Sequence, residues 1–334
     1  MHTGALSPPS LQGSAAGRTD EAPAAPPDIA VVVPIFNEAD NIAVMHERVS
    51  ATLQQLGRSY EVWYIDDGSS DRSLDLLRDI AARDRHVSVI ELTRNFGQHA
   101  AVLAGFAASQ ADIVVTLDAD LQNPPEEIPR LVHKLEEGYD VVGGWRVERQ
   151  DPLFRRAASD VINWMTSLTV GVKMQDYGCM LRAYRRSVVR QIVDCDERSS
   201  FIPALANALA KRTAEIEVGH SDRWGGSSKY SLMKLLRLSF DLITGFSLLP
   251  IQMMSLAGIV VALVGIGFGA FLLVRRLFVG PESEGVFTLF AILFVFIGIL
   301  ILAVGLVGEY VGRIYLEVRR RPTYRIRAIH HRAV

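Results

Sequence analysis

The chain has 334 residues, 35 Lys and Arg against 37 Asp and Glu, a formal net charge of -2 and 49% hydrophobic residues. That length admits two soluble domains, or one domain with a membrane segment, and a mean hydropathy of +0.19 favours the second. The near-neutral balance gives no ground for a nucleic-acid partner, and two cysteines, Cys179 and Cys195, make neither a disulfide framework nor a metal spacing, so both are expected as reduced thiols that fill the core.

Residues 1–27 are rich in Ala, Pro, Ser and Gly and hold no apolar core of signal-peptide length, so a flexible tail is expected there rather than a secretory leader. Ile29 to Pro34 is an apolar run of strand length, followed by Asn37-Glu38. Asp40 is expected to cap a helix reaching about Gln55. Glu61 to Ile65 reads as a second strand ending in Asp66-Asp67-Gly68-Ser69-Ser70-Asp71, where Gly68 permits the turn and Asp71 suits the N-cap of the next helix. Val87 to Leu92 is a third strand, and Arg94-Asn95-Phe96-Gly97-Gln98-His99 leads from it into a helix of small residues. A fourth strand, around Val114 to Leu117, runs into Asp118-Ala119-Asp120-Leu121-Gln122-Asn123-Pro124-Pro125-Glu126, and Asp140 to Gly144 is a fifth.

Strands alternating with helices predict an α/β domain with a mainly parallel, Rossmann-like sheet covered on both faces. Such sheets bind ligands beyond the carboxyl ends of their strands, and the polar clusters at 37–38, 66–71, 94–99 and 118–123 all fall there. In an extended turn Asp118 and Asp120 project to one side. Carboxylates so placed suit one hard divalent cation, Mg²⁺ or Mn²⁺, which takes few protein ligands and completes its shell with phosphate oxygens and water. No G-x-G-x-x-G follows the first strand and no G-x-x-x-x-G-K-[ST] occurs, which argues against a dinucleotide oxidoreductase and a P-loop NTPase.

Residues 151–173 have a helical pattern containing Arg155, and Asp176 to Tyr184 follows. A short helix, another from about Ser200 to Ala210, and a strand from Thr213 to Val218 complete a catalytic domain expected to span 28–230. Its last loop, Ser221 to Tyr230, carries Arg223, Ser228 and Lys229 among glycines and suits a phosphate clamp. Residues 231–250 pattern as an amphipathic helix lying in a bilayer interface. Uncharged runs at 251–274 and 286–307 are long enough to span a membrane, and Gly258, Gly265, Gly267 and Gly269 in the first leave close helix packing and lipid exposure both open. Lys234, Arg237, Arg313 and Arg319-Arg320-Arg321 outnumber Arg275 and Arg276 in the link, which places the catalytic domain and the tail on the cytoplasmic side. The basic tail 308–334 is expected to contact anionic lipid or a neighbouring subunit.

The motifs Val33-Pro34-Ile35-Phe36-Asn37-Glu38, Asp66 to Asp71 and Asp118-Ala119-Asp120 resemble the GT-A glycosyltransferases of family 2. Arg94 to His99, Asp118 to Glu126, Arg182 to Arg186, the Gly226-x-Ser228-Lys229-Tyr230 loop and Gly308 to Tyr315 narrow the resemblance to members that glycosylate polyprenyl phosphates. Tyr177 to Arg186 and Glu197 to Pro203 are similar to bacterial members that act with 4-deoxy-4-formamido-L-arabinose in lipid A modification. The likeness covers nearly everything after residue 28.

The resemblance implies a multi-pass enzyme of the bacterial inner membrane that moves a sugar from UDP to undecaprenyl phosphate with inversion, in a homo-oligomer, a tetramer in relatives. It implies that Pro34, Asn37, Glu38 and Asp67 hold uracil and ribose, and that Asp118, Ala119, Asp120 and Gln122 meet the metal and diphosphate. Arg146, Arg155, Arg223 and Lys229 are the candidates for the acceptor phosphate, Ser228 is a further substrate-binding candidate, and Asp176 stands where a base is usually proposed, with a structural ion pair as its other reading. A glucosyl or mannosyl transferase to the same carrier, and an inactive membrane scaffold or nucleotide-sugar sensor, are the alternatives. Processive members carry Q-x-x-R-W, whereas Arg223-Trp224 here lacks the glutamine.

Overall fold

A computed structural model describes residues 25–146, 179–195, 201–219, 249–278, 286–318 and 322–331. β1 (Ile29–Ile35), β2 (Tyr60–Asp66), β3 (Val87–Leu92) and β4 (Ile113–Thr116) are parallel, joined by α1 (Ile42–Leu56), α2 (Ser73–Arg83) and α3 (Gln98–Ala108). A 3₁₀ turn at Pro125–Glu127 opens α4 (Ile128–Glu136), followed by β5 (Val141–Arg146), β6 (Arg182–Arg185), α5 (Arg186–Asp194), α6 (Ile202–Leu209) and β7 (Thr213–Val218). α7 (Leu249–Phe278), α8 (Val286–Val318) and β8 (Ile326–His330) complete the chain. Among the described residues the sheet has eight strands in the order β7-β5-β6-β4-β1-β2-β3-β8. Of these, β6 and β8 run against the rest.

Continuous β-branched runs make these central strands, because a sheet covered on both faces buries alternate side chains in two different layers. Val31, Val33, Tyr64 and Val115 enter one core with α1, α2 and α4, while Val32, Ile65, Ile90 and Val114 enter the other with α3, α5 and α6. Gly105 of α3 lies so close to β1 that a Cβ there would sit 2.5 Å from Val32 Cγ1. The helix of small residues is therefore small because it rides hard against the sheet.

Two local expectations change. Asp40 does not cap α1: the N-cap is Asn41, without a side-chain capping bond. Asp71 stands one residue before the N-cap of α2, Arg72, yet does the capping work, since its Oδ1 accepts from the Ser73 amide at 2.9 Å.

The end of the chain departs most from expectation. Both apolar helices are longer than the uncharged runs, 30 residues for α7 and 33 for α8. Each contains an 18-residue window of mean hydropathy above 2, and neither window is buried. Exposed apolar surface on this scale belongs in a bilayer, so the chain is a membrane protein. Of the glycines in α7, Gly265 faces α8, where a Cβ would come 3.7 Å from Phe296, while Gly258 and Gly267 face open space.

Instead of ending as a basic tail for lipid or a neighbouring subunit, the chain pairs β8 antiparallel to β3. Glu91 fixes that edge. Its side chain is 4% exposed and accepts from Arg78 Nη2 of α2 at 2.8 Å and Arg327 Nη1 of β8 at 3.1 Å, with His330 Nε2 also at 3.1 Å. Burial pushes the Glu91 carboxyl up, but His330, Arg78 and Arg327 outweigh it and hold the group below its ordinary 4.5. A depressed native pKa stabilises the fold above the unfolded value and ceases to do so as pH falls through the native one. Glu91→Gln should therefore cost about 2 kcal/mol near neutral pH, discounting the buried-pair value for half-exposed partners, and lower the melting temperature by about 4–8 °C. Calorimetry of both proteins should show that difference shrinking as pH drops below about 4.5, the ordinary value.

Candidate active site

The loops after β1, β2, β3 and β4 leave the same edge of the sheet and are tied to one another. Asn37, left-handed at φ 56°, donates its amide to Ser69 Oγ at 3.1 Å, and its Oδ1 accepts from the Ser70 amide at 2.8 Å. The Glu38 amide donates to Ser73 Oγ at 2.9 Å, and the Ala39 amide to Asp71 Oδ2 at 3.2 Å. Pro34 sits beside Ile65 in the β1–β2 register, half-buried at the mouth of these loops.

Asp67 joins the β2 loop to the β3 loop. Its carboxylate accepts the amides of Phe96 at 2.7 Å and Gly97 at 2.8 Å. Burial is the main influence on its pKa and raises it; those two amides oppose the rise, Asp66 adds to it and Arg94 opposes it. Asp66, directly before it, is also raised, first by burial and last by Glu91, its register neighbour on β3. Gly68 has φ +70°, and a Cβ there would meet Arg94 C at 2.5 Å and Asn95 N at 2.7 Å. Only glycine lets the two loops touch.

The acidic turn follows β4. Asp118 is half-buried, and its Oδ1 accepts from Gln98 Nε2 at 2.6 Å, the first residue of α3. Its Oδ2 is 3.4 Å from Asn123 Nδ2, and Asn123 in turn receives a weak bond from the buried thiol of Cys179 at 3.7 Å. Asp120 Oδ1 accepts from the Gln122 amide at 3.1 Å. Leu121 is left-handed at φ 60°, a costly conformation for leucine that its burial in the core offsets, and Ala119 is buried beside it. The strained residue turns the chain so that Asp118 and Asp120 stay at the edge while Ala119 and Leu121 anchor it.

Pro34, Asn37, Glu38, Asp67, Asp118, Ala119, Asp120 and Gln122 are thus all brought to one sheet edge. Arg146 ends β5 in register with Val218. Arg155, Asp176, Arg223, Ser228 and Lys229 lie outside the described residues. Sequence reasoning gave no role to Gln98, Asn123 or His99. A neutral amide in a loop carries no charge pattern, and Gln98 meets Asp118 across 20 residues of chain. The donor set fits a hard divalent cation, which needs few protein ligands: two carboxylates two residues apart, in the turn after β4.

Residues 30–193 match the family model described as Glycosyl transferase family 2. The chain is 52% identical over 305 residues to the undecaprenyl-phosphate 4-deoxy-4-formamido-L-arabinose transferase of Edwardsiella ictaluri, covering 90% of this chain and 94% of that protein. The chain belongs to glycosyl transferase family 2. The like-named protein of Klebsiella pneumoniae is 51% identical over 304 residues, covering 90% of this chain and 93% of that one. Among solved structures, glucosyl-3-phosphoglycerate synthase from Mycobacterium tuberculosis, in complex with Mn²⁺, UDP and glucosyl-3-phosphoglycerate, is similar at a TM-score of 0.48 and 20% identity, covering 66% of this chain and 78% of that one. The mixed, mostly parallel sheet is the GT-A arrangement of a family 2 glycosyltransferase.

In this glycosyltransferase two left-handed glycines separate strain from close approach. Gly57 closes α1 at φ +67°, and a Cβ added there would have no other atom within 4 Å, whereas Gly68 abuts Arg94. Gly57→Ala should cost only the left-handed penalty of about 1 kcal/mol. Gly68→Ala should cost more, because the β3 loop that Asp67 holds through the Phe96 and Gly97 amides must shift. Thermal unfolding of both variants checks the difference.

Proposed function

We propose that this enzyme transfers 4-deoxy-4-formamido-L-arabinose from UDP to undecaprenyl phosphate at the cytoplasmic face of the bacterial inner membrane, and that the product serves lipid A modification and resistance to cationic peptides. The observation that carries the reading is a half-buried carboxylate turn beside braced nucleotide loops, in a chain whose last strand ties two membrane helices to the same sheet. The names of relatives sharing half of their residues over 90% of the chain supply the sugar and the acceptor.

Pro34, Asn37, Glu38 and Asp67 hold the uracil and ribose in the loops after β1 and β2. Asp118 and Asp120 would hold Mg²⁺ or Mn²⁺, which would supply positive charge against the departing diphosphate. Gln98 and Asn123 fix the Asp118 carboxylate with neutral donors, which orient it without cancelling its charge. Ala119 and Gln122 keep the turn in shape.

The acceptor is a phosphate monoester, anionic near neutral pH. One of its oxygens bonds to the anomeric carbon as the bond from that carbon to the β-phosphate oxygen of UDP breaks, with inversion, and the electron pair leaves on UDP. Such a nucleophile needs placement more than deprotonation. Arg146, Arg155, Arg223, Ser228 and Lys229 supply that placement and partial charge compensation. Asp176 is the candidate base, in competition with a structural role. The charge bias of the flanks and the return of β8 to the sheet support a cytoplasmic position for both ends of the helical pair.

Purified full-length protein given undecaprenyl phosphate should make glycolipid from UDP-4-deoxy-4-formamido-L-arabinose in preference to UDP-glucose or GDP-mannose. No glycolipid from any UDP-sugar, with UDP still bound, would point to a silent sensor instead. Asp120→Ala should lower kcat by roughly 10³-fold or more, and chelator should abolish turnover until Mg²⁺ or Mn²⁺ is restored. Asp176→Asn tests the base: a loss of roughly 10²-fold or more in kcat supports that role, and near-normal kcat rejects it.

A further inference from the structure

The last strand meets the nucleotide loops as well as the sheet edge. β8 pairs with β3, and the register shifts between Glu91 and Leu92: Ala328 faces Glu91, Ile326 faces Leu92, and Arg327 is the extra residue between them. Bulges of this kind redirect a chain and recur beside binding sites. Here the bulged residue is also a tether. Arg327 Nη1 donates to Glu91 Oε1 at 3.1 Å, and His330 Nε2 lies 3.1 Å from Oε2 of the same carboxylate.

The contact continues past the end of β3. One residue beyond it, the Thr93 amide donates to the Arg325 carbonyl at 2.9 Å. Thr93 is the root of the loop formed by Arg94 to Gly97, which meets the β2 loop directly. Arg94 abuts Gly68, and Asp67 accepts the amides of Phe96 and Gly97. Phe96, Tyr324 and Ile326 all pack against the core that α3 covers. The loop is therefore gripped at both ends, by Asp67 at its far end and by the segment entering β8 at its root.

Without β8, β3 would be the edge of the sheet, with its outward N–H and C=O groups open to water. A loop tied at one end samples more conformations than a loop tied at both, and ordering it on binding then costs affinity.

We infer that β8 positions the donor site: by holding Thr93 it sets the 94–97 loop against the β2 loop in the arrangement that binds UDP, so nucleotide binding and docking of the last strand reinforce each other. The inference rests on the donor assignment made above. Arg327 and His330 act through Glu91 and the strand, and are positioning residues rather than ligands. Because β8 follows α7 and α8, full donor affinity belongs to a chain that has passed through both apolar helices and returned to the sheet. The coupling is reciprocal: the factor by which docked β8 raises UDP affinity is the factor by which UDP favours docked β8.

Hydrogen exchange of the full-length wild-type protein, without UDP and with saturating UDP, tests this with no substitution. Amides of β8 are expected to exchange roughly fivefold or more slowly with UDP bound, beyond any slowing in β7, the strand at the other edge of the sheet. In the full-length chain, Arg327→Glu with His330→Glu sets two carboxylates against the buried Glu91 and should release the strand. That variant should bind UDP roughly fivefold or more weakly and lose exchange protection at Phe96 and Gly97, and in turnover its loss should fall on KM for the sugar nucleotide more than on kcat. Adding Glu91→Gln removes the repulsion and should restore part of the affinity. If the charge-reversed variant does not fold, the wild-type exchange decides alone. Exchange in β8 that UDP leaves unchanged, or slows no more than in β7, overturns the inference. So does a folded variant with an unprotected β8 and the wild-type Kd for UDP, the signature of a purely structural edge. If the wild-type protein binds no UDP, the donor assignment fails and the inference with it.

Discussion

The pairing of β8 with β3 constrains how this chain can meet a bilayer. The polypeptide leaves a parallel sheet after β7, passes through two long apolar helices and returns to the opposite edge of the same sheet. Two crossings bring a chain back to the side it left; one or three would strand β8 across the membrane from β3. The edge is secured beyond its backbone bonds by Glu91, a buried carboxylate that would be costly to desolvate without Arg78 and Arg327 beside it. Because Arg327 and His330 lie on β8, Glu91 gains those two partners only when the last strand is in place.

That same carboxylate neighbours Asp66 in register, and Asp66 precedes the residue that braces the nucleotide loops. The edge that pairs with β8 and the edge that carries the proposed donor site are thus adjacent parts of one sheet rather than separate modules. Loops are usually the mobile part of a binding site. Here the loops after β1, β2 and β3 are held by side chain-to-amide bonds from Asn37, Asp67 and Asp71, and the contact of Gly68 with Arg94 leaves no room between them. Preorganisation of this kind lowers the entropic cost of ordering a flexible nucleotide.

The four parallel strands were legible because fully buried strands write themselves as β-branched runs, and the acidic turn was legible because charge at a strand end is conspicuous. β6 was not, since Arg182-Ala183-Tyr184-Arg185 begins and ends in arginine; Arg182 is fully buried, donating to the Cys179 carbonyl at 2.8 Å. β8 was hidden by its setting. Ile326-Arg327-Ala328-Ile329-His330 alternates between half-buried and exposed positions as an edge strand should, but it sits in a stretch whose basic residues read as a lipid-facing tail. Its inward histidine and exposed Ile329 invert the usual apolar-in rule, because the face it covers presents Glu91. In the site, Gln98 and Asn123 escaped notice since their partners are set by tertiary contact, and Asp40 falls one residue before the α1 N-cap, Asn41, whose side-chain amide donates to Glu38 instead.

The division of labour inside the site follows from which bonds are already made. Asn37, Asp67 and Asp71 accept amide protons from the chain itself, so they shape the nucleotide cleft more than they choose among ligands. In the proposed reaction Asp118 and Asp120 would attract a cation and, through it, any nucleoside diphosphate, whatever sugar it carries, so selectivity for the sugar falls to groups outside this carboxylate turn.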